Sequence, residues 1–163
     1  MTRAGTGKTY ASAFALREED TKKVLFLVHR EQIAKQAIAS YKKVFGKTRT
    51  FGLLSGNSKD YDVDYLFSTM QMMAKPEILT RFRRDEFDTI IIDEAHRLNE
   101  KSGMFHNMGE NQIKEIIHAA KCSVFFIDER QRVTLQDIGS VEEIKKWAKK
   151  EKARITEMEL VSQ

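Results

Sequence analysis

The sequence predicts an α/β protein, a three-layer sandwich in which helices cover both faces of a mostly parallel sheet. Short continuous apolar runs such as residues 24–28 are typical of strands buried on both faces. They alternate with segments such as residues 33–45, whose apolar side chains recur at helical spacing. The chain has 163 residues, of which 41% are hydrophobic, which is enough for one domain with one core.

The first half of the chain contains two helical segments and three strand-like ones. A helix is predicted over about residues 8–16 and a buried strand over residues 24–28. The apolar residues of the next helix are Ile33, Ala37, Ile38, Tyr41, Val44 and Phe45, and Gly46 is expected to end it. Weaker strands over residues 50–53 and 65–68 flank a polar loop at residues 55–60.

The second half repeats this alternation. Pro76 is predicted to open a short helix that carries Ile78, Leu79 and Phe82. A third buried strand covers residues 89–92 and ends at Asp93, and a fourth covers residues 124–127 and ends at Asp128. The amphipathic helix between them carries Ile113, Ile116, Ile117 and Ala120. Ser140 with Glu143 has capping-box spacing before another helix, and residues 155–160 read as a last strand.

Composition excludes several classes of protein. Mixed charges make up 32% of the residues, and Gly and Pro are few, so the chain is neither collagen-like nor wholly disordered. It has no apolar run long enough for a membrane span and no apolar signal sequence at residues 1–10. The single cysteine, Cys122, suits a reducing cytoplasm. A net charge of +4 permits nucleic-acid binding but does not establish it.

The strongest local motif is the run Gly5-Thr6-Gly7-Lys8-Thr9. It matches the end of the phosphate-binding loop pattern, although Thr2 stands where the first glycine is expected. Glycines let successive amides face phosphate oxygens, and the following helix directs its positive end at them. Lys8 would reach the β- and γ-phosphates of ATP, and the Thr9 hydroxyl would ligate Mg²⁺. The alternative is a glycine-rich turn that happens to precede a helix.

Two carboxylates follow the predicted strand over residues 89–92. Asp93 would hold Mg²⁺, and Glu94 would orient or deprotonate the attacking water. The alternative is a strand that exits into an acidic surface. Asp128 and Gln131 follow the next strand, and Gln131 would contact the γ-phosphate or the lytic water if the two strands are neighbours.

These motifs resemble the first RecA-like domain of superfamily 2 helicases, with the ATPase subunit of type III restriction enzymes as the nearest likeness. The resemblance covers about residues 2–97 and uses four segments in the same order: Gly5 to Thr9, the strand ending in His29-Arg30, Ser68-Thr69-Met70-Gln71, and Asp93-Glu94-Ala95-His96. It implies a P-loop ATPase that uses ATP with Mg²⁺ and acts on nucleic acid, DNA in preference to RNA.

The resemblance also implies roles for further residues. Arg30, Thr69 and Gln71 match positions where helicases contact the nucleic-acid backbone. His96 matches the residue that couples the ATP site to the nucleic-acid loops. For each of them an ordinary solvated or structural role is the alternative.

From about residue 90 to residue 163 the likeness changes. The run Phe126 to Val133 resembles superfamily 1 helicase-like ATPases related to the Schlafen helicase domain, in which the third motif reads Asp-x-x-Gln, as residues 128–131 do here. This switch motivates the hypothesis of a hybrid or fragment. We expect one truncated RecA-like domain over residues 1–163, without the second RecA-like domain or partner subunit that would complete an ATP site.

The sequence therefore predicts the ATP-binding motor domain of a helicase-like ATPase, with Glu94, Lys8 and Gln131 as catalytic residues. Two alternatives remain open. The chain could bind a nucleotide without turnover, or it could be an inert scaffold that keeps only the shape of a P-loop protein. A kinase or synthetase is disfavoured, because a glutamate beside the metal-binding carboxylate favours activation of water.

Overall fold

The architecture is an α/β sandwich with a five-stranded sheet whose strands are all parallel. The structure is a computed structural model and describes residues 6–83, 85–95, 98, 112–127 and 141–158. The strands are β1 (Val24–Val28), β2 (Phe51–Leu54), β3 (Tyr65–Thr69), β4 (Phe87–Ile92) and β5 (Ala120–Phe125), in the spatial order β2-β3-β1-β4-β5. The predicted fold class is confirmed.

Six helices of the described ranges surround the sheet. They are α1 (Thr6–Glu18), α2 (Glu31–Phe45), α3 (Met70–Met73), α4 (Pro76–Leu79), α5 (Gln112–Ala119) and α6 (Val141–Lys150). Gly46 ends α2 with a φ of +58°, and its amide donates to the carbonyl of Lys42, so the predicted stop signal works through the left-handed conformation that glycine adopts easily. Within the described part of the chain, no helix is long and apolar enough to cross a membrane.

Alternate residues of each central strand enter two separate cores. Phe26 of β1 packs below α1 and α2 with Tyr41 and Phe67, whereas its neighbours Leu25 and Leu27 face the other core. That second core lies under α3 to α6 and includes Met70, Met72, Met73, Ile90, Ile92, Ile113 and Ile116. Because strands β1, β3 and β4 are almost wholly buried on both faces, they read in the sequence as continuous apolar runs.

Three sequence predictions need correction. Ala120 was expected in a helix but opens β5, because it pairs with Phe87 of β4. The fourth strand was expected to be buried over residues 124–127, but it covers Ala120–Phe125 and is half-exposed, since it pairs with β4 alone among the described strands. No strand forms over residues 153–158, where Ile155 and Met158 stay exposed without a sheet partner.

Candidate functional site

The acidic pair lies on a turn held from both sides by the sheet. The amide of Asp93 donates to the carbonyl of Leu27 in β1 (3.0 Å), and the amide of Ala95 donates to the carbonyl of Phe126, just after β5 (2.8 Å). The amide of Phe126 in turn donates to the carbonyl of Ile92 (2.9 Å). The turn after β4 is therefore fixed at the centre of the carboxyl edge of the sheet, which is where ligands bind in parallel α/β sheets.

Glu94 adopts a backbone conformation that side chains usually avoid. Its φ is +53°, in the left-handed region, and its amide donates to Oδ1 of Asp93 at 3.1 Å. Such a conformation costs about 1–2 kcal/mol for a residue with a Cβ and persists only where the surroundings impose it. The two carboxylates are half-exposed, so a ligand can approach them from solvent.

Helix α1 begins near the same edge of the sheet. Ser12 of α1 contacts Tyr41 of α2, and further along both helices Arg17 donates to the carbonyl of Val44 (3.3 Å), so α1 and α2 run in the same direction. Because α2 begins directly after β1 at the carboxyl edge, the first turn of α1 also faces that edge. Lys8 and Thr9 lie in this turn and are half-buried. A helix N-terminus of this kind attracts phosphate.

The residues predicted to contact nucleic acid lie on the adjacent strand ends. In the register of β1 and β3, Val28 lies beside Thr69, so the chain leading to Arg30 starts next to the segment that carries Gln71. Arg30 and Gln71 are exposed. Thr69 also has a local role, because its hydroxyl accepts the amide of Met72 and caps α3.

Several predicted site residues lie outside the described residues, so their positions stay predictions. They are Gly5, His96 and Gln131, and the side chain of Thr6 is likewise not described. Gln131 was expected near the acidic pair only if the strands that precede them are neighbours, and these strands are neighbours. β4 and β5 are parallel neighbours, and Phe126 touches the turn that carries Glu94.

Two features of this region were missed by the sequence reasoning. Tyr41 was read as one apolar residue of α2, but its hydroxyl lies 2.7 Å from that of Ser12 in α1. No sequence signal pairs residues 29 positions apart. Glu115 of α5 is fully buried, although the surrounding isoleucines could have shown that it lies on an apolar face.

A shallow depression at the amino edge of the sheet is not a second candidate site. It is lined by Arg17, Asp20, Val44, Phe45, Thr48 and Arg49. Its one carboxylate, Asp20, is already paired, since it binds Lys22 at 2.7 Å and Arg49 at 2.5 Å. Hydrogen bonds from these two cations lower the pKa of Asp20.

Comparison with known proteins supplies the family. The family model described as "Schlafen group 3, DNA/RNA helicase domain" matches residues 3–163. The chain belongs to this family. The predicted likeness to a Schlafen-type helicase domain is thereby confirmed, and the match covers both halves of the sequence rather than the second half alone.

Solved structures support the fold of this Schlafen group 3 domain. The crystal structure of a hypothetical ATP-dependent RNA helicase from Sulfolobus tokodaii aligns with 91% of this chain and 43% of its own, with a TM-score of 0.60 and 16% identity. At that identity the likeness shows the fold alone. A nuclease-deletion mutant of the Type ISP restriction-modification enzyme LlaGI matches 78% of this chain and 15% of its own, with 23% identity and a TM-score of 0.45, which is too low to argue from.

One curated protein is related in sequence. The Type I restriction enzyme SsaAORF53P endonuclease subunit of Staphylococcus saprophyticus is 32% identical over 106 residues, which cover 57% of this chain. The chain spans only 11% of the length of that relative.

Proposed function

We propose that this Schlafen group 3 domain binds MgATP at the carboxyl edge of its sheet and serves as the motor domain of a nucleic-acid translocase. One observation supports this most strongly. The strand that leads to Asp93 and Glu94 ends at the centre of the edge that the first turn of α1 faces. A phosphate-binding helix end and a metal-binding carboxylate on one edge are what a P-loop ATPase requires.

The donor set fits magnesium bound together with ATP. Thr9 offers a hydroxyl and Asp93 a carboxylate, which are the hard oxygen ligands that Mg²⁺ prefers. No group of three or more His, Cys, Asp or Glu side chains gathers into a metal site among the residues that the structure describes. This agrees with a metal that takes one or two ligands from the protein and the rest from phosphate and water.

Each side chain of the site then has a separate task. MgATP supplies the phosphoryl group and the metal charge. The amides of Gly5 to Gly7 and the ammonium of Lys8 bind phosphate oxygens. Glu94 orients the attacking water and accepts its proton, and Gln131 contacts the γ-phosphate. Backbone hydrogen bonds to both neighbouring strands hold the turn that carries Glu94, which favours this task.

We further propose that nucleic acid, DNA in preference to RNA, crosses the ends of β1 and β3. Arg30 and Gln71 are exposed there, and contacts to phosphates would be independent of sequence and sensitive to salt. The restriction-enzyme relative supports DNA. His96 would couple this surface to the ATP site, and a second RecA-like domain or partner subunit would complete both sites.

The division into a superfamily 2-like half and a superfamily 1-like half stays a prediction. A single family model that matches residues 3–163 supports one continuous lineage over a hybrid origin.

Titration of the purified 163-residue chain with MgATP tests the nucleotide proposal. We expect saturable binding that Lys8→Ala abolishes and that Glu94→Gln preserves, and any phosphate release by the unmodified chain should be lost in Glu94→Gln. Lys149→Ala and Glu142→Gln, two exposed positions on α6, are matched controls and should change neither. Binding without phosphate release would indicate a nucleotide-binding module without turnover. No binding, or equal binding by Lys8→Ala, would overturn the proposal.

Labelled single-stranded DNA and RNA of the same sequence test the nucleic-acid proposal. Arg30→Ala should weaken binding to any sequence, because one phosphate contact is lost. The salt slope, which is the slope of the logarithm of the binding constant against the logarithm of the salt concentration, should fall in magnitude by about one unit. Lys149→Ala should leave the slope unchanged. Equal slopes for Arg30→Ala and the unmodified chain would contradict the assignment, and tighter binding of RNA would reverse the preference for DNA.

A further inference from the structure

A buried hydrogen-bond chain links the centre of one core to the first turns of α1. The hydroxyls of Tyr41 and Ser12 lie 2.7 Å apart, and Ser12 Oγ is 2.8 Å from the carbonyl oxygen of Thr9. Tyr41 is fully buried and Ser12 is 8% exposed. This hydrogen-bond chain therefore runs from α2 to the backbone of Thr9, the residue whose hydroxyl is proposed to ligate Mg²⁺.

The direction of this chain follows from the proton count. A serine hydroxyl carries one proton, and Ser12 donates it to the carbonyl of Thr9. The bond between the two hydroxyls must then be donated by Tyr41. Burial raises the pKa of Tyr41, so the phenol keeps this proton throughout the physiological range.

Tyr41 is held firmly enough to act as an anchor. Its ring contacts five other aromatic rings at centroid distances between 5.1 and 6.5 Å, from Phe26, Phe45, Phe51, Tyr65 and Phe67. Close packing of this kind restricts the ring to one position, and that position sets where the hydroxyl lies.

The buried part of helix α1 begins at Ser12. Its buried residues are Ser12, Ala13 and Leu16, and none of residues 7–11 is buried. Apolar packing therefore holds the middle of the helix, and the hydrogen bonds of Ser12 connect this packed part to the backbone of the first turn.

We propose that Tyr41 is a positioning residue for nucleotide binding, which acts through Ser12 on the backbone of Thr9 and so fixes the phosphate-binding turn of α1. The proposal rests on the proposed function, because the turn is assigned to phosphate there. Tyr41 itself touches no substrate.

Tyr65 provides a matched control. It lies in the same aromatic cluster, and its hydroxyl donates to the carbonyl of Thr21 (2.7 Å), in the loop beyond the far end of α1. Tyr65→Phe thus removes the same chemical group from the same core but leaves the Ser12–Thr9 link intact.

The experiment compares Tyr41→Phe with Tyr65→Phe in the 163-residue chain, well below the melting temperature of both. We expect Tyr41→Phe to raise the Kd for MgATP about fivefold, because loss of about 1 kcal/mol of anchoring lowers the fraction of the free chain that holds the turn in its binding position, and Tyr65→Phe to change the Kd less than about twofold. The melting temperatures should fall by similar amounts. A merely structural role would lower both melting temperatures and leave both Kd values unchanged, which would overturn the proposal.

Two further measurements keep the result decisive. Ser12→Ala removes the hydroxyl in the middle of the hydrogen-bond chain, at a position where alanine favours the helix. It should raise the Kd for MgATP as Tyr41→Phe does, and it replaces Tyr41→Phe in the test if that variant fails to fold. Hydrogen exchange of the amides of residues 10–13 needs no nucleotide and should accelerate in Tyr41→Phe but not in Tyr65→Phe. If the unmodified chain binds no MgATP, the proposed function fails, and unchanged exchange would separately refute the anchoring of α1.

Discussion

The backbone of Glu94 allows a direct test of whether the acidic turn is strained. At a φ of +53°, a residue with a Cβ is less stable by about 1–2 kcal/mol, whereas glycine adopts this conformation freely. We predict that Glu94→Gly has a larger free energy of unfolding than Glu94→Ala. Both variants lose the same carboxylate, so the interactions of that group cancel in the comparison.

The size of the difference follows from two opposing effects. Glycine relieves about 1–2 kcal/mol of strain in the folded chain, but it also gains about 0.4–1 kcal/mol of conformational entropy in the unfolded chain. At the middle of these ranges the net advantage of Glu94→Gly is about 0.8 kcal/mol. For a chain of this length that corresponds to roughly 1–4 °C in melting temperature.

Urea unfolding followed by circular dichroism measures this difference, and two control pairs calibrate it. Lys152, just after α6, has a φ of +56° and is exposed, so glycine should again be more stable than alanine there. At Glu142, exposed in the first turn of α6, alanine should be more stable by about 1 kcal/mol. If Glu94→Ala is at least as stable as Glu94→Gly while the controls behave as expected, the strain argument is wrong.

Two other substitutions test the packing and the protonation of the core. A Cβ at Gly52 would lie 2.7 Å from Cβ of Asp60 and 2.9 Å from Cγ2 of Val63. Gly52→Ala should therefore lower the free energy of unfolding by about 1–3 kcal/mol. A loss of less than about 0.5 kcal/mol, measured by thermal unfolding, would contradict this expectation. Burial raises the pKa of Tyr41 above the value of about 10 expected in the unfolded chain, so its contribution to stability is full below pH ~10 and is lost as the pH rises further. Between about pH 10 and pH 12 the free energy of unfolding of the unmodified chain should therefore fall more steeply with pH than that of Tyr41→Phe. Urea unfolding at several pH values measures both, and equal slopes against pH would argue against this.

Local patterns were sufficient to predict much of the fold. The runs at residues 24–28 and 89–92 became β1 and the end of β4, because a strand buried on both faces needs apolar side chains at every position. Helix α2 ended at Gly46 as expected, and Pro76 opened α4, although that helix ends at Leu79 and does not include Phe82 as predicted. β5 was placed less well, because Lys121 and Cys122 are exposed and the first half of the strand leaves a weaker apolar signal.

The candidate site was predicted only in part. Asp93 and Glu94 could be placed at a strand end because the apolar run stops directly before them. The left-handed conformation of Glu94 could not be foreseen, since it depends on backbone hydrogen bonds to β1 and to the chain after β5. The roles of Lys8, Thr9 and Gln131 remain predictions that rest on the sequence motifs.

The amino-acid sequence by itself determined the kinds of secondary structure, the α/β class and the chemical groups available at the strand ends. Apolar spacing and stop signals act over a few residues and can be read without knowing the fold. Only the tertiary structure decided which strands are neighbours, that β4 lies between β1 and β5, and that Tyr41 meets Ser12 across 29 positions of the chain. Such contacts depend on how the layers pack in three dimensions, and no local pattern records that packing.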